Sequence, residues 1–245
     1  MRYAIISDIH ANLEALEVVL QKIDELEPDK TLCLGDLVGY YADPNECVQM
    51  LRDRNIQCIM GNHDVVACGL IEPYYFNPAA ARAILWTREQ LTESNKKYIA
   101  DLPNSRVIEP DLRMVHGSVV DRDEYLLFRP EIERSFEMMV NTPDQPRVAF
   151  FGHTHRKIYY EMEGDQLYAG KQDQLKLRKD SYYLINPGSV GQPRDSDPRA
   201  SFASFDTETE EVVFYRLKYD IDKTAGKVRK YPFGEGLAKR LYRGV

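Results

Sequence analysis

The sequence predicts an α/β fold around a parallel sheet, and three observations carry the prediction. Short apolar runs at 3–6, 31–34 and 56–60 alternate with stretches of helical period. Each run ends on small or polar residues: Ser7-Asp8-Ile9-His10, Gly35-Asp36 and Gly61-Asn62-His63-Asp64. This βαβαβ rhythm implies right-handed crossovers, which line the three strand ends along one edge. Asp8, His10, Asp36 and Asn62 are therefore expected to converge, at the crevice where open α/β sheets bind ligands.

Each element follows from local chemistry. Residues 3–6 form the first strand. Asn12 caps a helix that carries Leu13, Leu16, Leu20 and Ile23 on one face, with Pro28 beyond its end. Residues 31–34 form the second strand. Asp43-Pro44 supplies an N-cap and a first-turn proline for a helix with Val48 and Leu51 inward. Residues 56–60 form the third strand, with a turn at Gly61-Asn62-His63-Asp64. The rhythm breaks over 65–104. There Asn77-Pro78 opens a helical stretch through Leu91, and a shorter helix runs from Glu93 to Asp101. Tyr74, Tyr75, Phe76 and Trp86 lie in or just before it. The stretch is either a helical pair packed on the body, with its aromatics in the core, or a cap over the crevice, since it directly follows Asp64.

The second half reads differently. Residues 106–108 and 112–115 form a hairpin across Glu109-Pro110-Asp111, ending in His116-Gly117. Residues 121–146 are charged and proline-bearing, and read as surface helix and loop. Residues 148–151 form a buried strand that ends in Gly152-His153-Thr154-His155. Strands at 158–160 and 166–169 flank a Glu163-Gly164-Asp165 turn. Residues 171–180 are polar and aperiodic, and read as a solvated loop. Residues 182–185 form a strand ending in Asn186-Pro187-Gly188-Ser189, and 201–205 pairs with 212–217 as a hairpin. Residues 220–245 supply helical and loop pieces whose Lys227, Arg229, Lys230, Lys239, Arg240 and Arg243 read as solvated faces. No repeat or linker divides the chain, so 1–245 reads as one domain.

Composition narrows the function. A formal charge of −7 argues against general nucleic-acid binding, which needs a basic field. The cysteines, Cys33, Cys47, Cys58 and Cys68, form no CxxC pair, and Cys33 and Cys58 sit in apolar runs as small hydrophobes. A reducing compartment fits that usage. A strand begins at once and no apolar run approaches membrane-spanning length, so a cytoplasmic protein without a membrane role is expected.

The five histidines, His10, His63, His116, His153 and His155, each follow an apolar run beside Asp, Asn or Gly. Together with Asp8, Asp36, Asn62 and Asp64 they make a set without soft ligands, suited to divalent Mn, Fe, Zn, Ni or Co. Seven candidate ligands exceed one tetrahedral ion and suit two ions sharing a bridge. A pair about 3.5–4 Å apart clamps the attacking and leaving oxygens of a displacement at phosphorus.

The ordered motifs Asp-x-His, Gly-Asp, Gly-Asn-His-Asp, His-Gly and Gly-His-x-His resemble the calcineurin-like metallophosphoesterase superfamily, in its compact bacterial and archaeal phosphodiesterase branch. The stretch Asn186-Pro187-Gly188-Ser189-Val190-Gly191-Gln192-Pro193-Arg194 extends the resemblance. It implies a four-layer α/β/β/α sandwich of two mixed sheets with a helical insertion near the active site. It implies one metal on Asp8, His10, Asp36 and His155 and another on Asp36, Asn62, His116 and His153, with a metal-bound hydroxide as nucleophile. His63 would face the phosphoryl group as general acid or phosphate donor, oriented by Asp64. The expected substrate is a small phosphate ester, nucleotides foremost. The alternative is a non-catalytic scaffold on the same fold, which the intact ligand set and His63 disfavour. Arg194 either binds a phosphate bidentately or pairs with Asp195 or Asp197 at the surface.

Overall fold

A computed structural model describes residues 1–142 and 146–245. In chain order its first half comprises β1 (Arg2–Ile6), α1 (Leu13–Leu26), β2 (Lys30–Cys33), α2 (Pro44–Asp53), β3 (Gln57–Cys58), α3 (Asn62–Ala67), α4 (Pro78–Gln90), α5 (Glu93–Ala100), β4 (Arg106–Glu109) and β5 (Leu112–Met114). The second half comprises α6 (Arg129–Asn141), β6 (Val148–Phe150), β7 (Lys157–Glu163), β8 (Gln166–Gly170), β9 (Gln174–Lys176), β10 (Tyr182–Pro187), β11 (Ala200–Asp206), β12 (Glu211–Leu217), α7 (Ile221–Val228) and α8 (Gly234–Arg243).

The strands make two mixed six-stranded sheets, ordered β3-β2-β1-β11-β12-β9 and β4-β5-β6-β10-β7-β8. The β1–β2 and β2–β3 pairs are parallel, as the βαβαβ rhythm requires, and β11 joins β1 antiparallel. Strand alternation then fixes the layers. Tyr3 and Ile5 of β1 enter a core shared with Leu112, Met114, Phe150, Tyr183 and Ile185 of the second sheet. Ala4 and Ile6, on the opposite face, pack with Leu16, Val19 and Leu20 of α1 and Val48 and Leu51 of α2. In the second sheet, Ala149, Phe151 and Leu184 turn outward onto Ile132, Phe136 and Met139 of α6. The result is the four-layer α/β/β/α sandwich.

Asn12 caps α1 by accepting from the Ala15 amide at 3.2 Å, and Asn77 caps α4 by accepting from Ala79 and Ala80. Asp43 does not cap α2 through its side chain. Its carboxylate instead meets Lys227 at 2.7 Å, and Lys227 also reaches buried Glu14 at 2.6 Å. The closing basic segment is thus not uniformly solvated: Lys227 ties α7 to α1 and to the start of α2, and Arg240 is half-buried, 6.0 Å from the Tyr40 ring centre.

Three further expectations change. The run at 56–60 pairs only as Gln57–Cys58, and its turn is instead the first turn of α3. The interval 171–180 contains β9, which pairs with β12 and buries Leu175 and Leu177 between the sheets. The segment 121–146 has a buried face in α6, and its residues 143–145 lie outside the described set. The helices of 65–104 pack against the body, α3 on α4 and α5, and α2 on both, while Tyr74 and Tyr75 are exposed. Among the described residues, no helix is long and apolar enough to cross a membrane.

Candidate metal centre

Loops leaving the C-terminal ends of β1, β2, β5 and β6 meet at one end of the sandwich, together with the N-terminus of α3 and the loop after β10. Backbone bonds tie them: Asp8 N to Gly35 O, His10 N to Asp36 O, Gly152 N to His116 O and Gly191 N to Asp8 O, each between 2.8 and 3.1 Å. The turns are tight. Asp8, His10, Asp36, His153 and His155 all have φ between 53° and 61°, a left-handed conformation that Asp and His tolerate better than most residues. Gly35 has φ +95°, and a Cβ there would lie 2.6 Å from the Gly61 amide nitrogen. Only glycine lets the β2 loop touch the α3 loop this closely.

This packing gathers the seven expected residues. Ligand atoms of Asp8, His10, Asp36 and His155 lie within 4.8 Å of one another, and so do those of Asp36, His116 and His153. Asp36 belongs to both groups. Asn62 Oδ1 sits 3.2 Å from His116 Nε2. All the histidine and aspartate members are buried. His10 Nε2 and His155 Nε2 face each other at 3.0 Å, two lone-pair atoms aimed at one place.

Each imidazole is oriented by a carbonyl, which only accepts. His10 Nδ1 donates to Val38 O at 3.2 Å, His116 Nδ1 to Leu34 O at 2.7 Å and His155 Nδ1 to Gln192 O at 2.6 Å. Their protons therefore sit on Nδ1, and Nε2 is left to coordinate. His153 is reversed: Nε2 donates to Asp123 O at 3.2 Å, leaving Nδ1 inward. The carboxylates are positioned too. Asp8 Oδ1 accepts from the His153 amide at 3.0 Å, and Asp36 Oδ1 from the His63 amide at 2.9 Å.

The electrostatics fit a divalent cation. Burial pushes Asp8 and Asp64 up to about 7. Burial likewise pushes His10, His153 and His155 well below the ordinary imidazole value. Asp36 resists burial because His116, His63 and His10 surround it, and is held well below the usual carboxylate range. His116, also desolvated, is lifted to about 9 chiefly by Asp36. Among the described residues, Asp8 Oδ2 and Asp36 Oδ2 are buried without hydrogen bonds, at a place where the neutral imidazoles of His10, His153 and His155 converge. A hard or borderline cation satisfies both and supplies the charge that burial demands.

His63 and Asp64 sit beside this cluster. The His63 ring packs against Tyr40 at 4.5 Å, Phe76 at 4.6 Å and His10 at 4.7 Å between ring centres. Among the described residues its buried Nδ1 has no hydrogen-bond partner, and burial pushes the ring down to about 4. The expected orientation of His63 by Asp64 is not what the geometry provides. Asp64 Oδ1 accepts from the Leu37 and Val38 amides at 2.9 and 3.2 Å, and Oδ2 from Gly61 at 2.9 Å. The carboxylate is used on backbone, pinning the loop after β2 to the start of α3.

A cleft of about 320 Å³ opens over His63, Asn62 and His153, walled by Tyr40, Tyr75, Phe76 and Tyr125. Two larger hollows elsewhere hold none of the nine candidate residues.

A family model described as the calcineurin-like phosphoesterase superfamily domain matches residues 1–210. The chain belongs to that superfamily. A curated relative, an uncharacterized protein of Methanocaldococcus jannaschii, is 41% identical over 244 residues, spanning 98% of this chain and 97% of its own. A crystal structure of a metallophosphoesterase from Sphaerobacter thermophilus is 36% identical, with a TM-score of 0.81 and coverage of 100% and 99% of the two chains. A hypothetical protein of Pyrococcus horikoshii, 21% identical, shares the fold with a TM-score of 0.81 over 100% and 98% of the chains.

Beside the candidate centre, sequence reasoning missed two residues and left a third, Arg194, between two readings. Tyr40 lies four positions beyond Asp36, in a loop without a pattern of its own. Tyr125 falls in the segment read as surface, yet its ring centre is 3.8 Å from that of His153. Arg194 is half-buried beside both tyrosines and pairs with neither Asp195 nor Asp197, which are taken by Arg216 and Arg199.

Proposed function

We propose that this chain is a metal-dependent hydrolase of small phosphate esters. The observation that carries the reading is the pair of buried donor groups sharing Asp36. Asp8, His10, Asp36 and His155 would hold one divalent ion, and Asp36, Asn62, His116 and His153 the other. When bound, the ions supply charge to stabilise the phosphoryl transition state and to acidify water.

The chain's own residues do the rest. Backbone carbonyls fix the imidazole tautomers, so the site is set before substrate arrives. His63 faces the phosphoryl group, as hydrogen-bond donor to the phosphate or, once the substrate anion raises its burial-depressed pKa, as proton donor to the leaving oxygen. Asp64 acts through backbone, holding the Leu37–Val38 amides and Gly61 so that Asp36 and Asn62 stay in register. The aromatic wall suits a planar group, since bases stack on such rings whatever their sequence, and this supports nucleotides among the substrates. A net charge of −7 supports a small ester over a polymer. The free cysteines Cys33, Cys47, Cys58 and Cys68 support a reducing, cytoplasmic setting.

The test is an activity panel: p-nitrophenyl phosphate, bis-p-nitrophenyl phosphate, cyclic nucleotides and diadenosine polyphosphates, each with Mn, Ni, Mg and Zn. Hydrolysis of at least one ester that needs added metal and stops with chelator is expected. Inertness across the panel, or activity that a chelator leaves untouched, overturns the reading.

A further inference from the structure

Arg194 reaches the edge of the candidate centre without a carboxylate of its own. Among the described residues, none of its nitrogens lies within ion-pair distance of an Asp or Glu oxygen, whereas half-buried Arg147, Arg216 and Lys227 each meet a carboxylate. Its hydrogen-bond partners are neutral. Nε and Nη2 donate to Gln192 Oε1 at 3.2 and 2.9 Å, and Nη2 also reaches the Tyr40 hydroxyl at 3.2 Å. A half-buried guanidinium supported only by neutral oxygens keeps its full charge for something else.

Its position says what. The Arg194 amide donates to His155 O at 3.0 Å. Tyr40 packs on His10 and His63, and Tyr125 packs on His153. Through its bond to the Tyr40 hydroxyl the guanidinium lies at the edge of the ligand cluster. The support is rigid. Gln192 is buried; its amide nitrogen Nε2 donates to Tyr41, and its backbone amide donates to Ser189 Oγ, which in turn donates to Asp8 O. The loop that carries Arg194 is thereby fixed to the loop that carries Asp8.

We propose that Arg194 binds a non-bridging oxygen of the substrate phosphoryl group, held in place for that task by Gln192 and Tyr40. The inference rests on the phosphoester reading above. An anion is the ligand that a guanidinium without a carboxylate selects, and Nη1, which takes no part in the bonds to Gln192 and Tyr40, is the nitrogen left to meet it.

The experiment measures binding of inorganic phosphate to manganese-loaded protein by calorimetry, with metal content and circular dichroism recorded for each variant. Arg194→Gln is expected to weaken phosphate about 10- to 100-fold at unchanged metal content, the size of a lost charge-assisted pair. Arg194→Lys keeps charge but loses the fork, and should fall between. It also preserves the test if the glutamine variant does not fold. In ester hydrolysis the same variants should raise KM and the phosphate inhibition constant together. Phosphate binding equal to wild type in either folded, metal-replete variant overturns the proposal. If esters are hydrolysed while Arg194→Gln binds phosphate normally, Arg194 is no anchor and the hydrolase reading stands. If Arg194→Gln loses phosphate in a protein inert toward every ester, the anchor stands and the hydrolase reading falls.

Discussion

Asp36 divides its two oxygens between tasks. Oδ1 accepts the His63 amide at 2.9 Å, while Oδ2 lies 3.5 Å from His10 Nε2 and 3.4 Å from His116 Nε2 without a hydrogen bond. Asp36→Ala should therefore deplete both ions of a loaded protein, and His10→Ala mainly one. Metal analysis after equal loading checks this, and a single ion in saturated wild type sinks the two-ion arrangement. His63 is different in kind, because its neighbour Asn62 already turns an oxygen toward His116. His63→Ala should keep its metal. A positioned acid contributes about 10²–10⁴-fold, most where the leaving oxygen is a poor one. The variant should therefore lose little on nitrophenyl esters and far more on ribose or alkyl esters. Equal loss on both would reduce His63 to a phosphate donor. At this scale the candidate ligands were legible because Asp, Asn and His carry their chemistry in their own atoms. The carbonyls of Val38, Leu34, Gln192 and Asp123 were not, since a backbone oxygen looks the same at every position. Nor was the work of Asp64, whose partners are amides distant in sequence.

Helices and strands that announced themselves did so through period and capping. Asn12, Asn77 and Pro44 start their helices where a local rule says they should. What stayed hidden depends on partners: β9 has three residues in a charged interval, and it is a strand only because β12 offers an edge and the inter-sheet core accepts Leu175. Lys227 was hidden for the same reason. Its charge looked solvated until α7 met α1, where it joins Glu14 and Asp43. Burial works against Glu14, but Lys227, Lys223 and Thr224 hold its carboxyl below the ordinary value. A depressed carboxylate stabilises the fold above its unfolded pKa and ceases to as pH falls through the folded one. Lys227→Met should accordingly cost about 2 kcal/mol at pH 7, by leaving a buried carboxylate short of a partner. The deficit should shrink below about pH 4 as Glu14 protonates in both proteins. Urea unfolding at pH 7 and at pH 3.5 measures it, and a deficit equal at both pH values would show that the lysine acts by packing alone.

The two sheets stack so that strand ends from both present their loops at one end, and the molecule concentrates its buried acid there. The layering was partly legible: the parallel β1–β2–β3 unit came from rhythm, whereas the two-sheet stack came only from the family resemblance, because pairing between strands such as β1 and β11, about two hundred residues apart, leaves no local mark. The same long-range closure gathers Asp8, Asp36 and Asp64, all buried, with burial driving two of them up to about 7. Bringing these charges together costs folding energy, which bound cations offset. Yet the seats are tied by backbone bonds, His153 N to Asp8, His63 N to Asp36, and Gly61 N to Asp64. The chain should therefore hold its fold without metal and gain stability with it. A cation at a hundred times its dissociation constant adds about 2.7 kcal/mol, about 5–10 °C of melting temperature for a chain of this size. Calorimetric melting in excess chelator and in saturating manganese reads the shift directly. Equal melting temperatures would mean that the acidic cluster binds no ion tightly enough to matter, and unfolding by chelator at 25 °C would mean that the backbone ties do not suffice to hold these carboxylates together.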